Sequence, residues 1–278
     1  MMNILCNACL IVFGLLLLFV TCLIVISNVK KMRIKKDILN YEINNNCMLI
    51  FITDISFKGS FFDKLSMNSG YSYIHEHVIN IDDSTKFQYF IEKANSNKIK
   101  RLDIIIHSNG GSIMPNDIIV SNLYTFNGAV NTYIPYYAHS AASMIAISGT
   151  TMYMNNCSVL SPVDPIHCAN KKEFSYQALC ELYKMKKNSL EEDLLLEYID
   201  GKKTYDDAIS VTHSLLKKRV KPKYIPKIIE EFVSGKYPHD KIFSYNHIKN
   251  LGLHVVNPIP KDIINITKKM LIALQKIN

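Results

Sequence analysis

The rhythm of apolar and polar positions changes several times along the chain. Residues 1–29 carry no charged side chain, and from Ile4 to Val29 almost every position is apolar. Such a run exceeds the roughly 20 residues a helix needs to cross a bilayer. Lys30, Lys31, Arg33, Lys35 and Lys36 follow it directly, and no basic residue precedes it. A cleaved leader would want a positive start and a small-residue exit, and neither is present. The pattern predicts a membrane anchor over 1–29 with the amino end outside, a basic juxtamembrane linker over 30–46 and a cytosolic carboxyl part. Beyond it, Cys47 to Ile55 reads as a first buried strand, Lys58 to Ser72 as a surface loop, and Val78 to Ile81 as a short strand. Asp82-Asp83-Ser84 then opens a helix with Phe87, Phe90 and Ile91 on one face.

The centre of the chain is the segment 103–167. A short apolar strand, Asp103 to Ile106, ends in the turn His107-Ser108-Asn109-Gly110-Gly111. Ile113, Ile118, Ile119 and Leu123 recur at helical spacing, and Val130 to Ile134 is a second strand. That strand breaks into Ala138-His139-Ser140-Ala141-Ala142-Ser143, small residues that open another apolar helix. Strand, Gly-Gly turn, helix, strand and serine at a helix start make the grammar of a parallel βαβ unit. A Gly-Gly turn lets backbone N–H groups face a site that side chains would block. A serine opening a helix stands where the local field favours a developing oxyanion. Either piece alone reads better as a satisfied turn or an N-cap. One crossover apart, they point to acyl transfer.

After the centre, Thr151 to Leu160 supplies another strand and turn. Two prolines bracket an acid in Ser161-Pro162-Val163-Asp164-Pro165, a rigid turn that fixes the carboxylate. Tyr205 to Val220 reads as an amphipathic helix and Ile228 to Val233 as a short one. Lys261 to Asn278 reads as a basic amphipathic helix, suited to a membrane surface or a neighbouring subunit.

Composition narrows the function. With 48% hydrophobic residues, the 278-residue chain can hold one sizeable core with appendages. The net charge is +8, but the lysines are scattered, there is no Trp, and no basic-aromatic interleaving or zinc-like spacing points to nucleic acid. Seven cysteines in no disulfide or metal pattern fit a reducing compartment. His75 and His77 fall in the loop before the first helix and read as solvated rather than metal-binding, and no metal is expected.

The central stretch closely resembles the serine dehydrogenase proteinase family, a membrane-associated branch of the Clp protease/crotonase superfamily related to signal peptide peptidase A. Family members look like I-D-L-I-L-H-T-P-G-G, then V-P-x-Y-A-x-S-A-G-T, then L-G-P-V-D-P-Q. This chain has Leu102 to Gly111, Ile134 to Ser143, and Leu160 to Ile166 in those places. A fourth block, Ser234-Gly235-Lys236-Tyr237-Pro238-His239-Asp240 with Leu251-Gly252-Leu253, also matches. The resemblance implies an α/β, Clp/crotonase-like domain of stacked βαβ units over 47–260, behind an N-terminal transmembrane helix. It implies a membrane-anchored serine peptidase acting on membrane-associated peptides or proteins, without cofactor, as a homo-oligomer. Ser140 would be the nucleophile, the N–H groups of Gly110 or Gly111 and of Ala141 the oxyanion hole, and Asp164 a supporting residue.

The base stays open. The catalytic histidine of Clp proteases falls on Val163 or Asp164 here, with His167 a few residues on. A lysine, as in signal peptide peptidase A, would need burial to lower its pKa. Lys186 continues the Ala178, Leu179, Leu182 face, and Lys203 matches a family helix; for each, a solvated helix charge is the plain alternative. His139 is expected to line the groove, and His239 with Asp240 to support its floor. Departures from the family at Asn109, Ala142 and Ser143 keep open a catalytically inactive membrane scaffold, and a crotonase-like acyl-CoA enzyme would share the oxyanion hole without the serine. No GxGxxG pattern supports a nicotinamide site.

Overall fold

The computed structural model describes residues 31–53, 72–75, 78–169 and 172–275, with isolated positions between 19 and 29. Most of the expected anchor and of the loop after Lys58, with His77, lie outside the described residues. Among the described residues no helix is long and apolar enough to cross a membrane.

The central strands owe their place to apolar runs. β1 (Met48–Thr53) is buried throughout, and β3 (Arg101–His107) is buried at its five central positions. A strand covered on both faces reads as a continuous apolar run rather than an alternation. β2 (Ser72–His75), β1, β3, β4 (Ala129–Ile134), β6 (Thr151–Met154) and β11 (Val255–Val256) stand in that order in one sheet, and every pairing is parallel. α2 (Ile81–Ser96) leads from β2 to β3, and α3 (Ile113–Thr125) from β3 to β4. Asn80 starts α2 with a capping box, accepting from Asp82 N and Asp83 N while its own N–H donates to Asp83 Oδ2.

The pleat sends alternate residues into two cores. Ile50, Ile52, Ile104 and Ile106 face the larger one, shared with α2, α3, α4 (Ala141–Ile147) and α7 (Ile225–Phe232). Leu49, Phe51, Ile105 and Tyr133 face the smaller one on the opposite side. A second, three-stranded sheet joins β5 (Tyr137–Ala138), β7 (Val159–Leu160) and β10 (Phe243–Ser244). β8 (Ile166–Ala169) and β9 (Lys172–Ser175) form a hairpin below α5 (Tyr176–Lys186) and α6 (Glu192–Lys217). A short α8 (Tyr245–Asn250) and a long α9 (Lys261–Gln275) complete the chain.

Five elements differ from the sequence reading. Residues 31–45, expected within a linker, are helical (α1), and Ile34, Ile38 and Tyr41 are buried. The apolar face of α9, Ile263, Ile266, Met270 and Leu271, is buried with them in the smaller core, so this chain's own sheet covers it. Lys269 and Asp37 tie the two helices by an ion pair. Ile79 makes one bridge to Gly111 instead of a strand, because α2 already begins at Ile81, and His75 belongs to β2 rather than a loop. The helix expected over Tyr205 to Val220 is the second half of a 26-residue helix that ends at Lys217, in which Gly201 lets Tyr176 and His167 approach the backbone.

Candidate active site

β4 runs out through β5 into Ser140, the residue before α4. Ser140 has φ 50° and ψ −127°, a conformation that L residues with a side chain rarely adopt. Such a backbone costs about 1–3 kcal/mol and persists only where its surroundings over-determine it. Here they do. Ser140 N donates to Ser161 Oγ at 2.8 Å, and Ser140 O accepts from Ser143 N at 2.8 Å. All seven residues of α4 are buried, which pins the helix that follows. Ser143 cannot exchange roles with Ser140: it is fully buried, its Oγ donates to Ala138 O at 2.6 Å and accepts from Ser161 N at 3.0 Å. Ala142 is also fully buried and absent from the cavity lining, so its methyl group does not crowd an approaching substrate.

The glycine turn packs directly on this serine. Gly110 has φ +100°, and a Cβ added there would lie 2.8 Å from Ser140 Cβ and 2.9 Å from Ala141 N. Only glycine fits. Ser108 Oγ accepts from Gly110 N at 3.1 Å, which turns that amide into the loop. Ile79 clips the turn from outside, donating to Gly110 O at 2.8 Å and accepting from Ser112 N at 2.9 Å. Gly111 and Ala141 line the cavity beside Ser140. As the first helical residue, Ala141 carries an N–H with no acceptor inside its own helix.

Asp164 and His239 enter the same cavity, of about 390 Å³. Asp164 is 3% exposed on its Pro-bracketed turn, which is anchored where Val163 N donates to Phe232 O at 2.7 Å. Its Oδ1 lies 2.9 Å from His239 Nδ1, and its Oδ2 has no hydrogen-bond partner among the described residues. His239 comes from the loop between α7 and β10, and its side chain is 32% exposed. Glu231 stiffens that loop, accepting from Lys236 Nζ and Tyr237 Oη at 3.2 Å and meeting His247 Nε2 at 3.0 Å. Burial alone would raise the Glu231 pKa, but the hydrogen bonds from Lys236 and Tyr237 hold it below its ordinary value.

The other candidates fall elsewhere. Lys186, at the end of α5, is exposed and does not line the cavity. Lys203 is 73% exposed and bonds Asp200 Oδ1 at 2.8 Å; it lines a neighbouring cleft instead. Neither has the burial that a lysine base requires, because both stand on the outer faces of their helices. His139 packs its ring on Tyr137 and does not line the cavity, contrary to expectation. His167 faces Glu197 at 3.3 Å from β8. Sequence reasoning thus reached Ser140, Gly111, Ala141 and Asp164, which the fold brings together. It assigned His239 to the floor of the site and missed its pairing with Asp164, although the residue lies in the fourth block that carried the resemblance.

Comparison with known proteins bears on this arrangement. A family model described as ClpP-like SDH-type serine proteinase matches residues 2–274. Two uncharacterised proteins of Methanocaldococcus jannaschii are 28% identical over 189 residues and 25% identical over 162 residues. These alignments take in 66% and 58% of this chain, and the chain spans only 63% and 54% of the relatives' own lengths. Among solved structures, a 1510-N membrane-bound stomatin-specific protease aligns over 80% of this chain and 84% of its own, with 16% identity and a TM-score of 0.49. ClpP1 from Listeria monocytogenes aligns over 80% and 96%, with 11% identity and a TM-score of 0.44.

Proposed function

We propose that this chain, which belongs to the ClpP-like SDH-type serine proteinase family, hydrolyses peptide bonds with Ser140 as nucleophile and His239 as its base. Ser140 Oγ attacks the peptide carbonyl while His239 Nε2 takes its proton, Nδ1 being held by Asp164. The carbonyl oxygen becomes an oxyanion that accepts from the N–H groups of Ala141 and Gly111. On collapse the C–N bond breaks and the amine leaves with the proton from His239. Water, deprotonated by the same histidine, then hydrolyses the acyl ester and regenerates Ser140.

The observation that carries this reading is the Asp164–His239 pair opening into the cavity that holds a strained serine and the glycine turn. It favours histidine over the lysine base expected from kin, since no lysine lines that cavity among the described residues. The test is labelling with a fluorophosphonate probe in detergent. Adduct on the unmodified chain that disappears with Ser140→Ala and His239→Ala, and survives in Ser143→Ala, Lys186→Ala and Lys203→Ala, is expected. Labelling that survives His239→Ala but vanishes with Lys203→Ala would return the base to lysine.

We further infer that residues 1–29 anchor the chain with its catalytic part in the cytosol, that copies assemble into a homo-oligomer, and that substrates are membrane-associated peptides. What supports the anchor and its orientation is the uncharged run followed by five basic residues. Alkaline extraction and protease protection of membrane vesicles check the anchor and its orientation, and analytical ultracentrifugation in detergent checks the assembly.

A further inference from the structure

The cavity beside Ser140 has apolar walls, and two carboxylates besides Asp164 line it as well. Met144, Ala208 and Val211 contribute the apolar surface, while Asp117 of α3 and Asp207 of α6 line both this cavity and the adjoining cleft. Burial, and then the charge of Asp207, push the Asp117 carboxyl up to about 6, so the two acids lie close enough to repel. Asn116 lines the same cavity and is 5% exposed. Its Nδ2 donates to Asp117 Oδ1 at 3.4 Å, and its Oδ1, buried, meets no donor among the described residues. Two carboxylates and a buried amide oxygen are hydrogen-bond acceptors waiting for a donor. Lys203, in the cleft, does not fill the role, since its Nζ is bound to Asp200 and exposed. The chain as a whole is positive, at +8, so its general field offers cations no attraction.

We propose that Asp117, Asp207 and Asn116 form a specificity site that holds a lysine or arginine side chain of the peptide near the bond to be cleaved. The alkyl stem lies along Met144, Ala208 and Val211, and the cationic head meets the two carboxylates and Asn116 Oδ1. The proposal rests on the peptidase reading and names its substrate class.

Binding tests it without turnover. Fluorescence anisotropy on the full chain carrying Ser140→Ala would compare peptides that differ at one residue: Lys, Arg, norleucine or Glu, at physiological ionic strength. The Lys or Arg peptide is expected to bind about tenfold tighter than norleucine, the Glu peptide weakest, and Arg against Lys tells a guanidinium site from an ammonium one. Asp117→Asn and Asp207→Asn should each erase most of that preference; Asp207 is exposed, so its variant folds even if the other does not. The preference should also shrink as pH falls below about 6 and Asp117, facing Asp207, Lys203 and His239, takes up a proton. Equal binding of Lys and norleucine peptides, or a preference that survives both variants, overturns the proposal. A cationic preference with no labelling of Ser140 would instead sink the peptidase reading alone.

Discussion

Two buried aspartates of this chain live differently. Asp103, on β3, is fully buried in the smaller core, and its oxygens are saturated. Tyr41 Oη donates to it at 2.6 Å, Arg101 Nε and Nη2 at 3.0 and 2.7 Å, and Asn131 Nδ2 at 2.9 Å. Burial, with Asp103 beside it, drives the Tyr41 hydroxyl far above its ordinary range, so it stays a donor at any working pH. Asp164 is nearly as buried, yet among the described residues it meets one partner, His239, and keeps an oxygen unpaired. A carboxylate whose every lone pair is used holds structure together. One that keeps capacity in reserve beside an open cavity is placed to orient the histidine that we propose as the base.

Breaking the second arrangement should produce the larger change in function. His239→Ala and Asp164→Asn are each expected to lower peptide cleavage by about 10³-fold with little effect on thermal stability, as turnover and melting curves would show. If either variant melts early and keeps its activity per folded molecule, the two aspartates are alike and the contrast collapses. The first arrangement should fail in the opposite sense. Asp103→Ala leaves Arg101, Asn131 and Tyr41 without their acceptor, and is expected to cost about 3–5 kcal/mol in denaturant unfolding while cleavage per folded molecule stays unchanged. The smallest effect belongs to a third acid. With its pKa raised by burial and by Asp207 from 3.8 to about 6, Asp117 binds its proton more tightly in the native chain than in the unfolded one. Stability should therefore fall as pH rises from about 4 to about 6, by about 1 kcal/mol after solvent screening. Asp117→Asn should flatten that slope.

How much of this was legible depended on the distance over which each signal acts. The βαβ unit around Gly110 and Ser140 could be read because its strand, turn, helix and serine are neighbours in sequence. The Asp164 turn could be read because two prolines fix it locally. His239 stands 75 residues from Asp164, and nothing near either residue announces their hydrogen bond. The position of the lysines was hidden for the same reason. Lys186 continues an apolar stripe in sequence, but the face it occupies is the one the fold leaves to solvent. The amphipathic face of α9 was visible too, and its partner was not. Periodicity marks a face that must be covered without saying by what.

The sequence by itself determined the parallel strands, the Gly-Gly turn, the serine at a helix start and the uncharged amino-terminal run. Each follows from spacing or composition within a few residues, where steric and hydrophobic rules act directly. Only the tertiary structure decided which acid meets which histidine, which serine lines the cavity, and which carboxylates share it. Those choices depend on long-range packing that brings the α7–β10 loop and the Asp164 turn to the end of β4, and burial then sets the chemistry of what meets there.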